Sequence, residues 1–220
     1  VNVLFNNADL FITGFRNTLI LFAGGGVIAL VLGSITGAMR VSPVPVMRAV
    51  GTLYVNLVRN TPLTLLFFFF AFGYPKLFPT GTWGSGLSFM QLAIIALGLY
   101  TATYIAEVIR SGINTIPAGQ MEAGRALGFT FTQSMELIVL PQAGRAVVPP
   151  MMSVLIALLK NTTVAAGFSV FEAGAIRAYL SERSEPLMAG LLWVAAIFVV
   201  LVLLLATFQR FLENRLKVVR

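Results

Sequence analysis

Runs of about twenty consecutive apolar residues recur along the 220-residue chain, and they constrain its fold more than any other feature. At about 1.5 Å per residue each run crosses a hydrocarbon core of roughly 30 Å as a helix. The chain is 58% hydrophobic and 10% charged, against about 45–50% and 25% in soluble domains. A soluble globule is therefore excluded, and an all-α, polytopic membrane protein is expected. Cysteine and histidine are both absent, which removes thiolate chemistry, disulfide scaffolds, the zinc signatures and the commonest general base.

Uninterrupted hydrophobicity predicts five spans in one domain covering residues 1–220, at about 19–39, 49–72, 87–109, 147–168 and 187–208. The first and last carry no charge. The second contains Arg59 and Pro62, the third Glu107 near its end, and the fourth Pro149, Pro150 and Lys160. Arg40 and prolines 43 and 45 follow the first span as a short turn. At about 21 residues that span is too long for a secretory h-region of roughly 7–15, although Thr36 and Ala38 imitate a cleavage site. Gly25, Ala29, Gly33 and Gly37 fall four apart. They form either a small-residue ridge for close helix approach or the ordinary glycine content of a membrane helix. No repeat or low-complexity linker divides the chain.

Five spans place the termini on opposite sides, and the net charge of +7 reports on sidedness here, not on a nucleic-acid partner. One side carries Arg40, Arg48, Arg110, Arg125, Arg145, Arg210, Arg215, Lys217 and Arg220 against Glu122, Glu136 and Glu213. The other balances Arg16, Lys76, Arg177 and Arg183 with Asp9, Glu172, Glu182 and Glu185. The excess of positive charge inside predicts an external N-terminus and a cytoplasmic C-terminus.

The loop at about 110–145 is long for a helix connection. Pro117 suits a first helical position after Asn114 or Thr115 as cap, and 118–127 reads as a short helix ending at Gly128. Glu122, Ala123, Gly124 and Gly128, followed by Ile138, Leu140 and Pro141, give the spacing E-A-x-x-x-x-G, nine residues, I-x-L-P. This resembles the EAA signature of membrane subunits of ATP-binding cassette importers, with Gly124 where alanine is usual. V-R-N-T-P-L-T-L at 58–65, Y-I-A-E-V-I-R-S-G-I-N-T-I-P at 104–117 and L-L-K-N-T-T at 158–163 extend the likeness over about residues 15–210. They resemble the polar amino acid permeases, most of all the glutamate permeases of actinobacteria.

The resemblance implies a type I importer permease fold with a cytoplasmic coupling helix between the third and fourth spans. Glu122, Ala123, Gly124 and Gly128 would then couple to the ATPase. It also implies separate ATPase subunits that bind ATP and Mg, a second permease subunit, identical or paralogous, and an extracytoplasmic substrate-binding protein. The cell membrane is the implied location, and glutamate or another acidic amino acid the implied cargo, with glutamine or a basic amino acid as alternatives. The chain cannot hold a phosphate-binding loop of the form G-x-x-x-x-G-K-[ST]. Its lysines, Lys76, Lys160 and Lys217, follow Pro75, Leu159 and Leu216. No cofactor of its own and no enzymatic activity are expected.

Intramembrane charge costs about 2.5–3.5 kcal/mol at a span centre and marks pathway candidates. Lys160, about 13 residues into its span, could receive a substrate carboxylate, with the amide of Asn161 alongside. Many family members have aspartate at the position of Asn161, and an uncharged amide removes a carboxylate that would repel an acidic substrate. The alternative for Lys160 is an internal pair with Glu107 or with carbonyls freed by Pro149 and Pro150. Arg59, Pro62, Glu107 and Arg110 are expected to be gate or structural residues. A secondary transporter would share the basic inner side and midplane charges but not the coupling signature. An intramembrane hydrolase using Ser153 and Lys160 would need proton transfer across two helical turns, about 10 Å.

Overall fold

The computed structural model describes residues 2–79 and 86–216, all helical or connecting segments. Lys217 and Arg220, counted above on the cytoplasmic side, lie outside them. A short helix α1 (Asn2–Asn6) leads into α2 (Ala8–Val41), followed by α3 (Pro45–Arg59), α4 (Leu63–Phe68), a π-helical turn (Phe69–Gly73) and α5 (Tyr74–Leu77). The long α6 (Phe89–Asn114) precedes the loop helices α7 (Ala118–Ala126) and α8 (Phe131–Ser134). A second π-turn (Met135–Val139), α9 (Leu140–Asn161), a 3-10 stretch (Thr162–Phe168), α10 (Ile176–Glu182) and α11 (Leu187–Leu216) complete the described chain.

Four helical stretches among the described residues are long and apolar enough to cross a membrane, namely Ala8–Val41, Phe89–Asn114, Phe131–Phe168 and Leu187–Leu216. The bent pair Pro45–Arg59 and Leu63–Leu77 makes the fifth when taken as one span. The fold is thus the all-helical one expected, and three of its helices differ in extent or direction from the apolar runs that predict them. The first begins at Ala8 and not near residue 19, because polar Asp9, Arg16 and Asn17 at its start do not break the helix. The second is turned by 93° between its halves, more than the kink that Pro62 alone suggests. The fourth begins sixteen residues before 147, since residues 131–146 form helix continuous with it.

The scaffold is the packing of α2 on α6. Gly25 lies against Leu97, Gly33 against Ile105 and Gly37 against Ile109, while Gly98 of α6 receives Ile28. The four-residue ridge is therefore a helix contact surface. A methyl at Gly33 would sit 2.8 Å from the backbone oxygen of Ala102, so the two backbones approach as closely as side-chain-free positions allow. α6 is held at its start by a reciprocal cap, in which the Gln91 amide donates to Ser88 Oγ (3.3 Å) and the Ser88 amide to Gln91 Oε1 (2.8 Å).

Around this pair the core divides in two. Leu21, Ala93, Ala96, Leu97, Leu158 and Phe67 form one cluster, in which Phe67 stacks on Phe168 at 5.2 Å. Phe67 is buried, whereas Phe69 and Phe72 remain exposed, so the phenylalanine run serves both packing and the lipid face. The second cluster joins Leu10 and Phe11 of α2 to Ile176 and Leu180 of α10, under Phe198 and Trp193 of α11.

The charges assigned to the outer side pair with one another at that end. Arg183 Nη2 meets Asp9 Oδ2 at 3.0 Å and its Nη1 donates to Asn7 Oδ1 at 2.9 Å, while Asn7 Nδ2 donates to Glu185 at 3.0 Å. Glu172 is fully buried and accepts from Thr18 Oγ1 (3.2 Å) and the Gly174 amide (2.8 Å). Burial pushes its carboxyl up, and these hydrogen bonds pull it back.

Gly33→Leu is expected to lower thermal stability by about 1–3 kcal/mol through overpacking. Gly119→Ala, where a Cβ meets nothing within 4 Å, is expected to leave it unchanged, as read by melting of the detergent-solubilised protein.

Candidate functional site

The second span is broken because Pro62 has no amide to continue the α3 ladder. Thr61 turns its amide to Val58 O (3.2 Å) and gives its hydroxyl to Leu57 O (2.8 Å), so the carbonyl freed by the break is satisfied. α4 then restarts with Pro62 at its N-cap. This break leaves Arg59 at the last position of α3, with its guanidinium 5.3 Å above the Tyr104 ring of α6. The hydroxyls of Tyr104 and Tyr100 are 2.9 Å apart, and Tyr54 donates to Leu99 O at 2.7 Å, fixing α3 across α6.

A cavity of about 460 Å³ opens between α3, α6 and α9, lined on its polar side by Arg59, Tyr104, Glu107, Ser111 and Thr115, and closed by Pro150 and Val154. Among the described residues no carboxylate forms an ion pair with Arg59. Glu107 is fully engaged elsewhere: Oε2 accepts from Arg40 Nη1 and Oε1 from Arg110. Glu107 and Arg110 thus form an ion pair whose third member is Arg40, a residue that in the sequence merely follows the first span. The i,i+3 spacing of Glu107 and Arg110 is visible in sequence; the contact with Arg40 exists only because α2 and α6 pack together.

Lys160 occupies a different place. It is the penultimate residue of α9, not the middle of a helix, because α9 starts at Leu140. Its level is still central, since Leu158, one half-turn before it, packs with Leu21 of α2 and Leu97 of α6. The α-helix ends here in a 3-10 stretch, where Thr162 Oγ1 takes Leu159 O (2.7 Å) and Thr163 Oγ1 takes Lys160 O (2.8 Å). Lys160 is exposed and lines a groove of about 430 Å³ with Thr163 and the α11 residues Phe198, Val199, Val202 and Leu203. Among the described residues no carboxylate pairs with it. Internal pairing with Glu107 is therefore replaced by the Arg40–Glu107–Arg110 cluster. A cation at a helix C-terminus is favoured by the dipole. Asn161 is half-buried beside it and lines neither cavity. Ser153 accepts from Gln209 Nε2 at 3.2 Å, which ties it to α11 and away from any role with Lys160.

The loop helix α7 begins at Ala118, so Pro117 takes the N-cap position and not the first helical one. Glu122 and Ala123 are exposed. Gly124 is buried inside the chain: a Cβ there would meet Ile138 Cδ1 at 3.0 Å and Ser134 Oγ at 3.1 Å. Gly128 has φ +83 and ends the helix, with its amide bonded to Arg125 O (2.9 Å) and that of Phe129 to Gly124 O (3.0 Å). The two halves of the E-A-G and I-x-L-P spacing thus touch, α7 resting on the start of the fourth span. Gln142 adds a link to Gln120 at 2.6 Å.

Residues 29–218 match the family described as binding-protein-dependent transport system inner membrane component. The chain belongs to this family. It is 46% identical over 151 residues to the glutamate transport system permease protein GluC of Corynebacterium efficiens, a match covering 66% of each chain. It is 36% identical over 224 residues to the probable glutamine permease protein GlnM of Bacillus subtilis, covering 99% of this chain and 98% of the relative. Its fold matches an amino acid ABC transporter crystallised with histidines, at a TM-score of 0.88 and 24% identity over 96% of both chains. The protein is thus a membrane permease component of a binding-protein-dependent transport system, and the relatives it is similar to are polar amino acid permeases of ABC importers.

In this permease Glu107→Gln leaves Arg40 and Arg110 with one carboxylate oxygen fewer and no compensating charge. The expected loss is about 1–3 kcal/mol, read as a lower melting temperature in detergent, whereas Arg145→Gln is expected to change little.

Proposed function

We propose that this permease carries acidic amino acids, glutamate first, into the cytoplasm, with its N-terminus outside and its C-terminus inside. The observation that carries the reading is Lys160, level with the centre of the bundle and, among the described residues, without a carboxylate partner. Leaving such a charge unpaired in a membrane is costly unless a ligand or water meets it. A substrate carboxylate supplies that charge-assisted contact, and the Asn161 amide beside it neither repels an anion nor holds a proton. Arg59 over Tyr104 gives a second unpaired cation nearer the α7 end, at the broken span where membrane transporters place their pathways. A carboxylate passing from Lys160 towards Arg59 meets successive cationic groups.

The same reading makes α7 the coupling helix. Glu122 and Ala123, both exposed, are offered to the ATPase, while Gly124 and Gly128 act indirectly by seating and ending the helix. ATP and Mg belong to that separate ATPase. A second permease copy or paralogue completes the pathway, and an extracytoplasmic binding protein delivers the amino acid. The GluC likeness supports glutamate; the GlnM likeness supports glutamine as the second reading.

Two measurements test this. In the assembled complex reconstituted in lipid, ATPase stimulation by glutamate is expected to fall by about tenfold in Lys160→Ala, the worth of roughly one charge-assisted hydrogen bond. Stimulation by glutamine or arginine that survives the substitution would overturn the acidic pathway. Glu122→Lys is expected to keep the membrane part folded and to abolish uptake; normal uptake would remove Glu122 from coupling.

A further inference from the structure

Positive charge gathers without full compensation at the end of the molecule that bears α7. Arg40 closes α2, Arg48 lies in the first turns of α3 and Arg110 near the end of α6, and all three line two adjoining clefts of about 310 and 600 Å³. Three guanidiniums here share one carboxylate, since Glu107 is bonded to Arg40 and Arg110. Among the described residues Arg48 donates to the carbonyls of Ser42 (3.0 Å) and Pro43 (3.4 Å), which orient it, and meets no carboxylate. The Arg40 side chain is 10% exposed, and its Nε is buried with no hydrogen-bond partner. A buried donor left unmet is uncommon and calls for an explanation.

The second observation is on the same helix. Val46, Val50, Leu53 and Leu57 of α3 are 70%, 51%, 59% and 62% exposed, and their spacing of four, three and four puts them on one stripe. That stripe runs up from the turn between Arg40 and Arg48, and the larger cleft beside it is lined by Arg48, Ala49, Thr52 and Asn56 of the same helix, with Leu53 at the border of the two. One helix thus offers a cationic cleft on one side and an apolar strip on the next.

We propose that Arg40, Arg48 and Arg110 form a binding site for the phosphate of an anionic phospholipid, whose acyl chains lie along the Val46–Val50–Leu53–Leu57 stripe. Guanidinium groups bind phosphate oxygens through paired N–H donors, and basic pockets between membrane helices at the cytoplasmic side take anionic headgroups. A free phosphate ion would use the arginines but not the stripe. An acidic segment of a partner protein would likewise need the charge alone. The proposal is independent of which amino acid is transported.

The test is native mass spectrometry of the intact complex, counting phosphatidylglycerol and phosphatidylcholine retained per permease. Phosphatidylglycerol is expected to be retained preferentially. Arg48→Gln, which spares the Arg40–Glu107–Arg110 pairs, is expected to weaken its retention about fivefold, the worth of one arginine near a membrane surface. Leu57→Ser, on the stripe and outside the clefts, is expected to weaken retention too, and Arg16→Gln, an exposed arginine at the other end, is expected not to. Equal retention of the two lipids, or no effect of Arg48→Gln, would overturn the site. Displacement of the lipid by millimolar inorganic phosphate, insensitive to Leu57→Ser, would make it a free-anion site. Loss of the ATPase subunit from Arg48→Gln with the lipid count unchanged would assign the arginines to a protein partner.

Discussion

The close approach of α2 and α6 is the contact on which the rest of the structure depends. Within a bilayer, helices gain nothing from hiding apolar surface from one another, since lipid is equally apolar; they associate through packing and polar contacts. Gly25, Gly33 and Gly37 let α6 come within backbone distance of α2, and that proximity in turn brings Arg40 to Glu107. α3 then packs against both α2 and α6, and α9 packs against α6. The glycine ridge and the ion cluster are successive consequences of one helix pairing.

Cations of the membrane part differ in what they meet. Arg40, the penultimate residue of α2, and Arg110 of α6 are paired with Glu107. Arg59 and Lys160 stand where a helix stops, one at the Asn60–Pro62 break and the other at the entry to the 3-10 stretch. At both breaks threonine hydroxyls take up freed carbonyls, Thr61 in one case, Thr162 and Thr163 in the other. The backbone is therefore satisfied and the side-chain charge is not. In hydrocarbon that division has an energetic meaning, because a charge without a partner is costlier to hold there than a paired one.

The loop helix is joined to the fourth helical stretch by a buried contact. α7 seats Gly124 on Ile138 and Ser134 at one end of Phe131–Phe168, and Lys160 lies near where the α-helical part of that stretch ends. Glu122 and Ala123 of the same helix stay exposed.

Much of this was legible in the sequence. Apolar runs alone determined an all-helical membrane protein, because the backbone in lipid must satisfy itself within each segment. The E-A-G and I-x-L-P spacing marked α7 and its family. Lys160, Arg59 and Glu107 stood out as charges in apolar runs. Tertiary structure alone decided what those charges meet. Arg40 and Glu107 are separated by 67 positions, so no local pattern links them, and Tyr104 under Arg59 depends on α3 crossing α6. The 93° turn of the second span was likewise hidden, since a proline announces a lost hydrogen bond but not the direction in which the chain resumes. Periodicity reports which residues face lipid or protein; which of two unpaired charges finds a partner is settled only when the helices pack.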